Sequence, residues 1–477
     1  LRSEWVAVAG DGGASPAPAP PGPPPVWPGA SERELGLDEA RRRIRADIAA
    51  QGWRARHRVL TGGDPDLPTA AQCELWASDG TEVPFGLGSG KGAKAPALVG
   101  AEYEAVEHAL TGPGILDALG PGTVPAADLA HGPFARDRAV GDLASQDGAR
   151  VAVLPYRGLD GGPGADVPLY LWAPWYPVPT EAMARYRAEL GDTARYAHAM
   201  GYSVNSGCAI GATFDEAALH ALNEWVERDA FSLFLLRSVY DGGPMPGAVD
   251  PGALPALARD RLRHAEEVVG GRVVVLDLTT DLGIPVALAY APGLAGGAAR
   301  YYGMGASLSG ATAVDRALTE FVQGELLARV VEDHVAERPP ADDGRPAEHP
   351  TFDRLVADHD IAAGVRRRLK GHPRLLACAH LDFADRLSEA PPVGTPPDAV
   401  PEGTGVAAQR AAVVDRLAEA GHRVLARELA VLEHGTTVVQ IQCPGLERFH
   451  MVTKGHLALP GARGRRFRAQ GRSRSRS

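Results

Sequence analysis

The sequence predicts an α/β or α+β fold in which helices pack on sheets, and three observations lead there. Short apolar, β-branched runs such as VVVLDL (273–278) and IPVALAY (284–290) alternate with long amphipathic runs at 213–238 and 311–332. The chain has 477 residues, 45% of them hydrophobic and 23% charged, enough for two to four domains or one large domain with subdomains. Gly (57) and Pro (40) make up about a fifth of it, below the level that marks a whole chain as low-complexity.

Residues 11–30 hold eight prolines and almost no charge, which predicts an extended Pro-rich arm (1–30) that packs on nothing. The run 31–58 reads as a helix followed by the start of a strand. FGLGSGKGAKAP (85–96) reads as a Gly-rich turn before a helix over about 97–110. Strands are expected at 150–156 and 167–172, after a loop-rich stretch. The helix at 213–238 is the strongest periodic signal, and Thr213 with Glu216 three residues on has the spacing of a capping box. A second long helix is expected at 311–332 and Pro-rich loops at 335–350 and 387–405. A helix near 407–420 and strands at RVLARELA (423–430) and TTVVQIQCPGL (436–446) complete the folded part. The expected division is thus an arm (1–30), one folded unit (31–460) and a disordered basic tail (461–477).

Charge and cysteine content exclude several classes. The net charge is −10, but the last 17 residues carry seven Arg and no acid, so the preceding 460 carry −17. An acidic body does not suit general nucleic-acid binding, which depends on phosphate neutralisation; only the Arg tail keeps that as a minor alternative. No run approaches the ~20 apolar residues of a membrane helix, and the N-terminus has no secretory pattern. Cys73, Cys208, Cys378 and Cys443 are scattered without CxxC, which fits a reducing cytoplasm.

The common nucleotide and hydrolase motifs fail. GSGKGA around Lys91 has Phe85 where a P-loop needs Gly, and Gly92 where it needs Ser or Thr. GxGxxG opening a helix, HExxH and GxSxG are absent. What remains is carboxylates on helices. At about 100° per residue, Glu216, His220, Glu224 and Glu227 share a sector roughly 80° wide. Glu104 and Glu107 share a face of an earlier helix, and Arg316, Glu320 and Gln323 a face of a later one. Each stripe alone also fits the solvated side of an ordinary amphipathic helix. Only convergence of the three makes a site, in which divalent cations relieve the repulsion and Lys91, Arg228 and Arg316 hold phosphates.

The strings that carry these residues resemble the YcaO family. NSGCAIGATFDEAALHALNEWVERDA (205–230) is similar to its SNG-to-ExxER signature, and GKG (90–92) with Glu104 and Glu107 to its earlier GKG…ExxER element. DLTTDLGIPVALAY (277–290), AVDRALTEFVQGEL (313–326) and CPGLERFH (443–450) follow in the family's order, over about residues 85–450. The resemblance implies repeated helix–sheet units enclosing a non-P-loop ATP site. It assigns Lys91, Glu104, Glu107, Glu216, Glu224, Glu227, Arg228, Arg316, Glu320 and Gln323 to ATP, and Glu104, Glu107, Glu216, Glu224 and Glu227 to Mg2+. It assigns no further catalytic residue.

The implied activity is ATP-dependent O-phosphorylation of a peptide backbone amide, as in maturation of a ribosomally made natural product. Azoline-forming cyclodehydration, giving thiazole- or oxazole-type rings, is favoured slightly over thioamidation. Implied partners are a precursor peptide and either an E1-like leader-peptide-binding protein or a TfuA-type protein; a homodimer is a further expectation. The sequence departs from the family pattern at Ala212, where the family has Asn, at Asn205–Ser206–Gly207, where it has SNG, and at His108, where it has Arg. The Arg–Ser repeats where cyclodehydratases carry a Pro-rich end count against a standard azoline former. A non-catalytic scaffold that binds peptide or partner is therefore the alternative. Cys208 is expected to be a buried thiol, Asp277 and Asp281 turn or cap residues, and His450 and His456 non-catalytic.

Overall fold

Small residues decide how this chain packs. The computed structural model describes residues 6–7, 31–60, 64, 66–78, 84–292, 302–337 and 364–474. The arm at 11–30 and residues 338–350 of the loop expected at 335–350 lie outside them.

Among the described residues fifteen strands form three sheets. The first has the order β1 (Val6–Ala7), β2 (Trp53–Leu60), β3 (Thr69–Ala77), β4 (Gly86–Gly92), all antiparallel. The second runs β5 (Gly122–Pro125), β6 (Arg150–Gly158), β14 (Leu425–Val431), β15 (Thr437–Gln442), β8 (Cys208–Gly211), with β7 (Ala165–Pro168) paired to β6 off this path. The third is β12 (Tyr302–Ala306), β11 (Val286–Tyr290), β10 (Val274–Asp277), β9 (Gly247–Val249), β13 (Pro392–Val393). The helices that matter for the site are α1 (Leu37–Ala50), α2 (Lys94–Leu110), α3 (Phe214–Phe234), α4 (Ala256–Val269), α5 (Gly310–Glu337), α6 (Val406–Glu419) and α7 (Ala462–Arg474). Among the described residues no helix is long and apolar enough to cross a membrane.

The Gly-rich stretch expected as a turn is strand β4. A Cβ on Gly90 would lie 1.7 Å from the Ala97 carbonyl oxygen, and one on Gly88 2.3 Å from that of Ala101. Glycine in the strand and alanine on α2 let the two backbones meet. The same device recurs at β12, where a Cβ on Gly303 or Gly305 would sit 2.3 Å from the carbonyl of Ala317 or Ala313 on α5. At β8, a Cβ on Gly211 would come 2.6 Å from Ala217 N on α3. These are the repeated helix–sheet units, one for each carboxylate-bearing helix. Gly90→Ala is expected to cost about 1–3 kcal/mol in denaturant unfolding. Gly122→Ala, whose Cβ meets nothing within 4 Å, should change little.

Three apolar cores follow, one uniting α2 with the first two sheets, one around α3, and one between α4, α5 and the third sheet. Two local expectations change. The run at 167–172 leaves the strand after Pro168 and becomes a buried 3₁₀ turn, Leu169–Leu171, because burial and not pairing holds those apolar residues. The tail from 461, expected to be disordered, forms helix α7 over Ala462–Arg474. Arg463 is buried and donates to both oxygens of Asp229 on α3, at 2.8 and 2.9 Å, and to Asp281 at 2.5 Å. The amides of Gly461 and Gly464 cap Glu447 at 2.9 and 2.8 Å. The basic composition that reads as a solvated tail is thus partly countercharge for a buried acid.

Candidate active site

Helix α3 supplies the spine of the site. Thr213 caps it, its hydroxyl accepting from Glu216 N at 3.2 Å. The opposite face of the helix buries Leu219, Leu222, Trp225 and Val226. That anchoring leaves Glu216, His220, Glu224 and Glu227 along the remaining stripe.

Glu224 lies against the loop before β8. It accepts from Gly207 N at 2.7 Å and pairs with Arg228 at 2.5 Å, and Arg228 also reaches the Ser206 hydroxyl. Gly207 has φ +79, and a Cβ there would strike the Ile441 carbonyl oxygen at 2.1 Å, so the turn requires glycine. From α2, Glu104 accepts from Ser89 N at 3.1 Å, while Gln323 on α5 donates to Ser89 O at 2.8 Å. Strand β4 is therefore clasped from both sides by predicted site residues. Its Lys91 reaches across to Glu320 on α5 at 2.5 Å.

These groups also act on one another electrostatically. Burial pushes Glu227 up to about 8, with Glu320 and Glu224 adding to the rise and Lys91 and Arg228 opposing it. Glu107 is held well above the usual carboxylate range by burial, then by Glu104 and Glu224. Burial also raises Glu104, with a further contribution from Glu320, against His108, the Ser89 amide and Lys91. Yet Glu104 and Glu320 remain 40% and 35% exposed. Their carboxylates thus reach solvent while the surrounding protein leaves hydration incomplete, so like charges still act on one another.

Glu216 stands at the other end of the stripe. Eight residues of helix put Glu216 about 12 Å along the axis from Glu224. Glu216 takes Arg33 at 2.7 Å and the Glu34 amide at 3.2 Å. Arg316 donates to Ala306 O at 2.9 Å and pairs with Glu32 at 2.6 Å. His220 stands on the same stripe, exposed at its own surface; dehydration by the protein around it, then Arg316, Arg33 and Lys91, holds its pKa below normal. The sequence reading missed Glu32, Arg33, Ser307 and Asn223 here. Nothing marks 31–34 in the sequence except a short charged run ahead of a helix.

The departing positions make local contacts of their own. His108 bonds the Leu87 carbonyl at 2.5 Å and remains 4.0 Å from Glu104, while the Ala212 carbonyl is held by Arg43 at 2.9 Å. The residues set aside are structural. Cys208 is buried, Asp277 caps Thr279 N, and His450 bonds Ser232 in the interior. Asp281 does more than turn the chain, since it completes the Arg463 ion pair.

Among the described residues no three His, Cys, Asp or Glu side chains are gathered closely enough to hold a metal by themselves. Among the described residues, five carboxylates (Glu104, Glu107, Glu224, Glu227, Glu320) nevertheless act on one another or on shared neighbours, with Lys91 and Arg228 as the counter-cations met in this group. That deficit of positive charge fits Mg2+, which is held jointly by carboxylates and phosphate oxygens and not by an all-protein cage.

A family model for the YcaO cyclodehydratases, ATP- and Mg2+-binding, matches residues 89–447. The chain belongs to the YcaO family. The family model describes ATP- and Mg2+-binding cyclodehydratases, and ATP and Mg2+ are accordingly the cofactors of this chain. The fold is similar to that of YcaO from Methanopyrus kandleri bound with AMPPCP and Mg2+. That likeness has 20% identity and TM-score 0.56, and covers 87% of this chain and 93% of that one. A heterocyclase in complex with substrate and cofactor gives TM-score 0.55 at 20% identity, over 87% of this chain and 52% of the other. At such identity the likeness is one of fold. An uncharacterized protein in the tfuA 3′ region of Rhizobium leguminosarum bv. trifolii is 38% identical over 85 residues, 18% of this chain. The match spans only about a fifth of that relative's length (20%). Because a metal displaces protons from raised carboxyls, Mg2+–ATP binding by this YcaO chain should release protons and tighten from pH 6 to pH 8.5. Calorimetry in buffers of different ionisation enthalpy checks this.

Proposed function

We propose that this YcaO chain uses ATP to phosphorylate a backbone amide oxygen of a ribosomally made peptide, with azoline-forming cyclodehydration as the favoured outcome. What supports this reading is the mutual electrostatic influence of acids on α2, α3 and α5, with Lys91 and Arg228 among them. Glu104, Glu107, Glu224 and Glu227 would hold Mg2+ there, with Glu216 serving the far end. Lys91, Arg228 and Arg316 would take phosphate oxygens, with Glu320 and Gln323 fixing Lys91 and β4. ATP supplies a phosphoryl group that turns the amide oxygen, otherwise a poor leaving group, into one that departs as phosphate. The chain's own part is to orient the reactants and to place fixed positive charge where negative charge develops. A Cys, Ser or Thr side chain of the peptide attacks in azoline formation.

The second reading is thioamidation with a TfuA-type partner, in which a sulfide source attacks instead. The relative in a tfuA 3′ region favours it. In either case peptide recognition is assigned to a separate protein, an E1-like leader binder or the TfuA-type protein, acting in the cytoplasm. Incubation with precursor peptide, partner, ATP and Mg2+ tests the proposal through phosphate release and product mass. A product lighter by one water supports azoline formation, and exchange of one oxygen for sulfur supports thioamidation. Phosphate release indifferent to peptide and partner counts against both.

A further inference from the structure

The segment Ser31–Glu34 runs through the site ahead of α1. Glu32 is 9% exposed, and its carboxylate is held by three groups from two elements. Arg316 donates at 2.6 Å and the Ser307 hydroxyl at 2.5 Å, both from the β12–α5 unit, and Asn223 of α3 donates its amide at 3.3 Å. Next to it, Arg33 donates to Glu216 at 2.7 Å, and the Glu34 amide to the other oxygen of the same carboxylate at 3.2 Å. Gln409 of α6 fastens the segment by donating to Ser31 O at 2.7 Å.

The pattern is complementary in sign. One acidic residue covers a basic group assigned above to phosphate, and the adjacent basic residue covers a carboxylate assigned above to Mg2+. A cation, a hydroxyl and an amide converging on one carboxylate make a receptacle for an oxyanion in general. An incoming phosphoryl group offers the same oxygens with more charge, and it cannot share Arg316 with a buried carboxylate without strong repulsion.

We infer that Arg316, Ser307 and Asn223 form one oxyanion receptacle, that Glu32 fills it in the nucleotide-free protein, and that a phosphoryl group of the nucleotide replaces Glu32. Residues 31–34 are thus a latch that opens when the triphosphate binds, freeing Glu216 from Arg33 and Glu34 in the same movement. This rests on the reading of Arg316 as a phosphate-site residue.

The test compares Mg2+–AMPPCP binding by the full chain, its Glu32→Gln variant and its Ser307→Ala variant, by calorimetry. Glu32→Gln weakens the internal competitor and should tighten binding about 3- to 10-fold. Ser307→Ala removes a donor from the receptacle and should weaken binding by a similar factor. Opposite signs are the signature, since a merely structural role would weaken binding in both. Hydrogen exchange of the unaltered protein supplies a measurement independent of whether the variants fold: amides of residues 32–36 should exchange faster once nucleotide is bound. Weaker or unchanged binding by Glu32→Gln, or greater protection of 32–36 with nucleotide, overturns the latch. If the unaltered chain fails to bind Mg2+–AMPPCP, the ATP site beneath the latch is wrong as well.

Discussion

Glu227→Gln is expected to lower peptide-dependent phosphate release by about a hundredfold or more while making the nucleotide-free protein more stable at alkaline pH. Glu227 lies where acids of α3 and α5 act on each other, and burial, then Glu320 and Glu224, lifts its carboxyl from 4.5 to about 8. Loss of one fixed charge aimed at a metal or a transferring phosphoryl group typically costs two to three orders of magnitude, ~10²–10³. The stability effect follows from the sign of the shift. The folded pKa lies above the unfolded one, so between about 4.5 and 8 the native state binds protons that the unfolded state has released. Stability therefore falls as pH rises across that window, and the penalty stays in full above it. Gln carries no such penalty. Its melting temperature should match that of the unaltered protein near pH 4.5, exceed it increasingly toward pH 8, and keep a constant margin beyond. A flat or reversed difference would mean that this carboxylate does not sit among like charges. Glu224→Gln should lose activity comparably, with the added release of Arg228 and Gly207.

Arg463→Met is expected to be among the most destabilising single changes in the chain. Asp229 is fully buried and pairs with Arg463, which in turn holds Asp281. Burial raises the Asp229 carboxyl and Arg463 pulls it back. Removing the guanidinium leaves a charge in the interior, a loss of about 3–5 kcal/mol for buried pairs of this kind. Thermal unfolding should shift down by several degrees, and adding Asp229→Asn should restore most of it. If Arg463→Met alone leaves the melt unchanged, α7 does not dock on α3. Because Arg228 precedes Asp229, the single variant should also weaken Mg2+–ATP binding, and the double variant should recover it.

Much of this was legible beforehand because periodicity and caps act locally. Thr213 and Glu216 mark the start of α3, and the spacing of Glu216, Glu224 and Glu227 depends on helix geometry alone. The Gly-rich run at 85–96 misled because glycine has two uses. In isolation it signals a turn, whereas here Gly88 and Gly90 are strand residues that admit the backbone of α2. Glu32 and Arg33 were invisible for a related reason: their partners Arg316 and Glu216 lie 284 and 183 residues away in the chain. A charged run ahead of a helix carries no local mark of such a destination.

From the order of residues alone came the helices, their acidic stripes and the family, since each depends on neighbours within a few turns. Tertiary structure alone decided which stripes confront one another and how the acids are countered. It also decided that a segment read as a plain helix start enters the site and that a basic tail closes on a buried aspartate. The physical reason is range: backbone preference acts over a few residues, while a charge buried by folding seeks its partner wherever packing brings one.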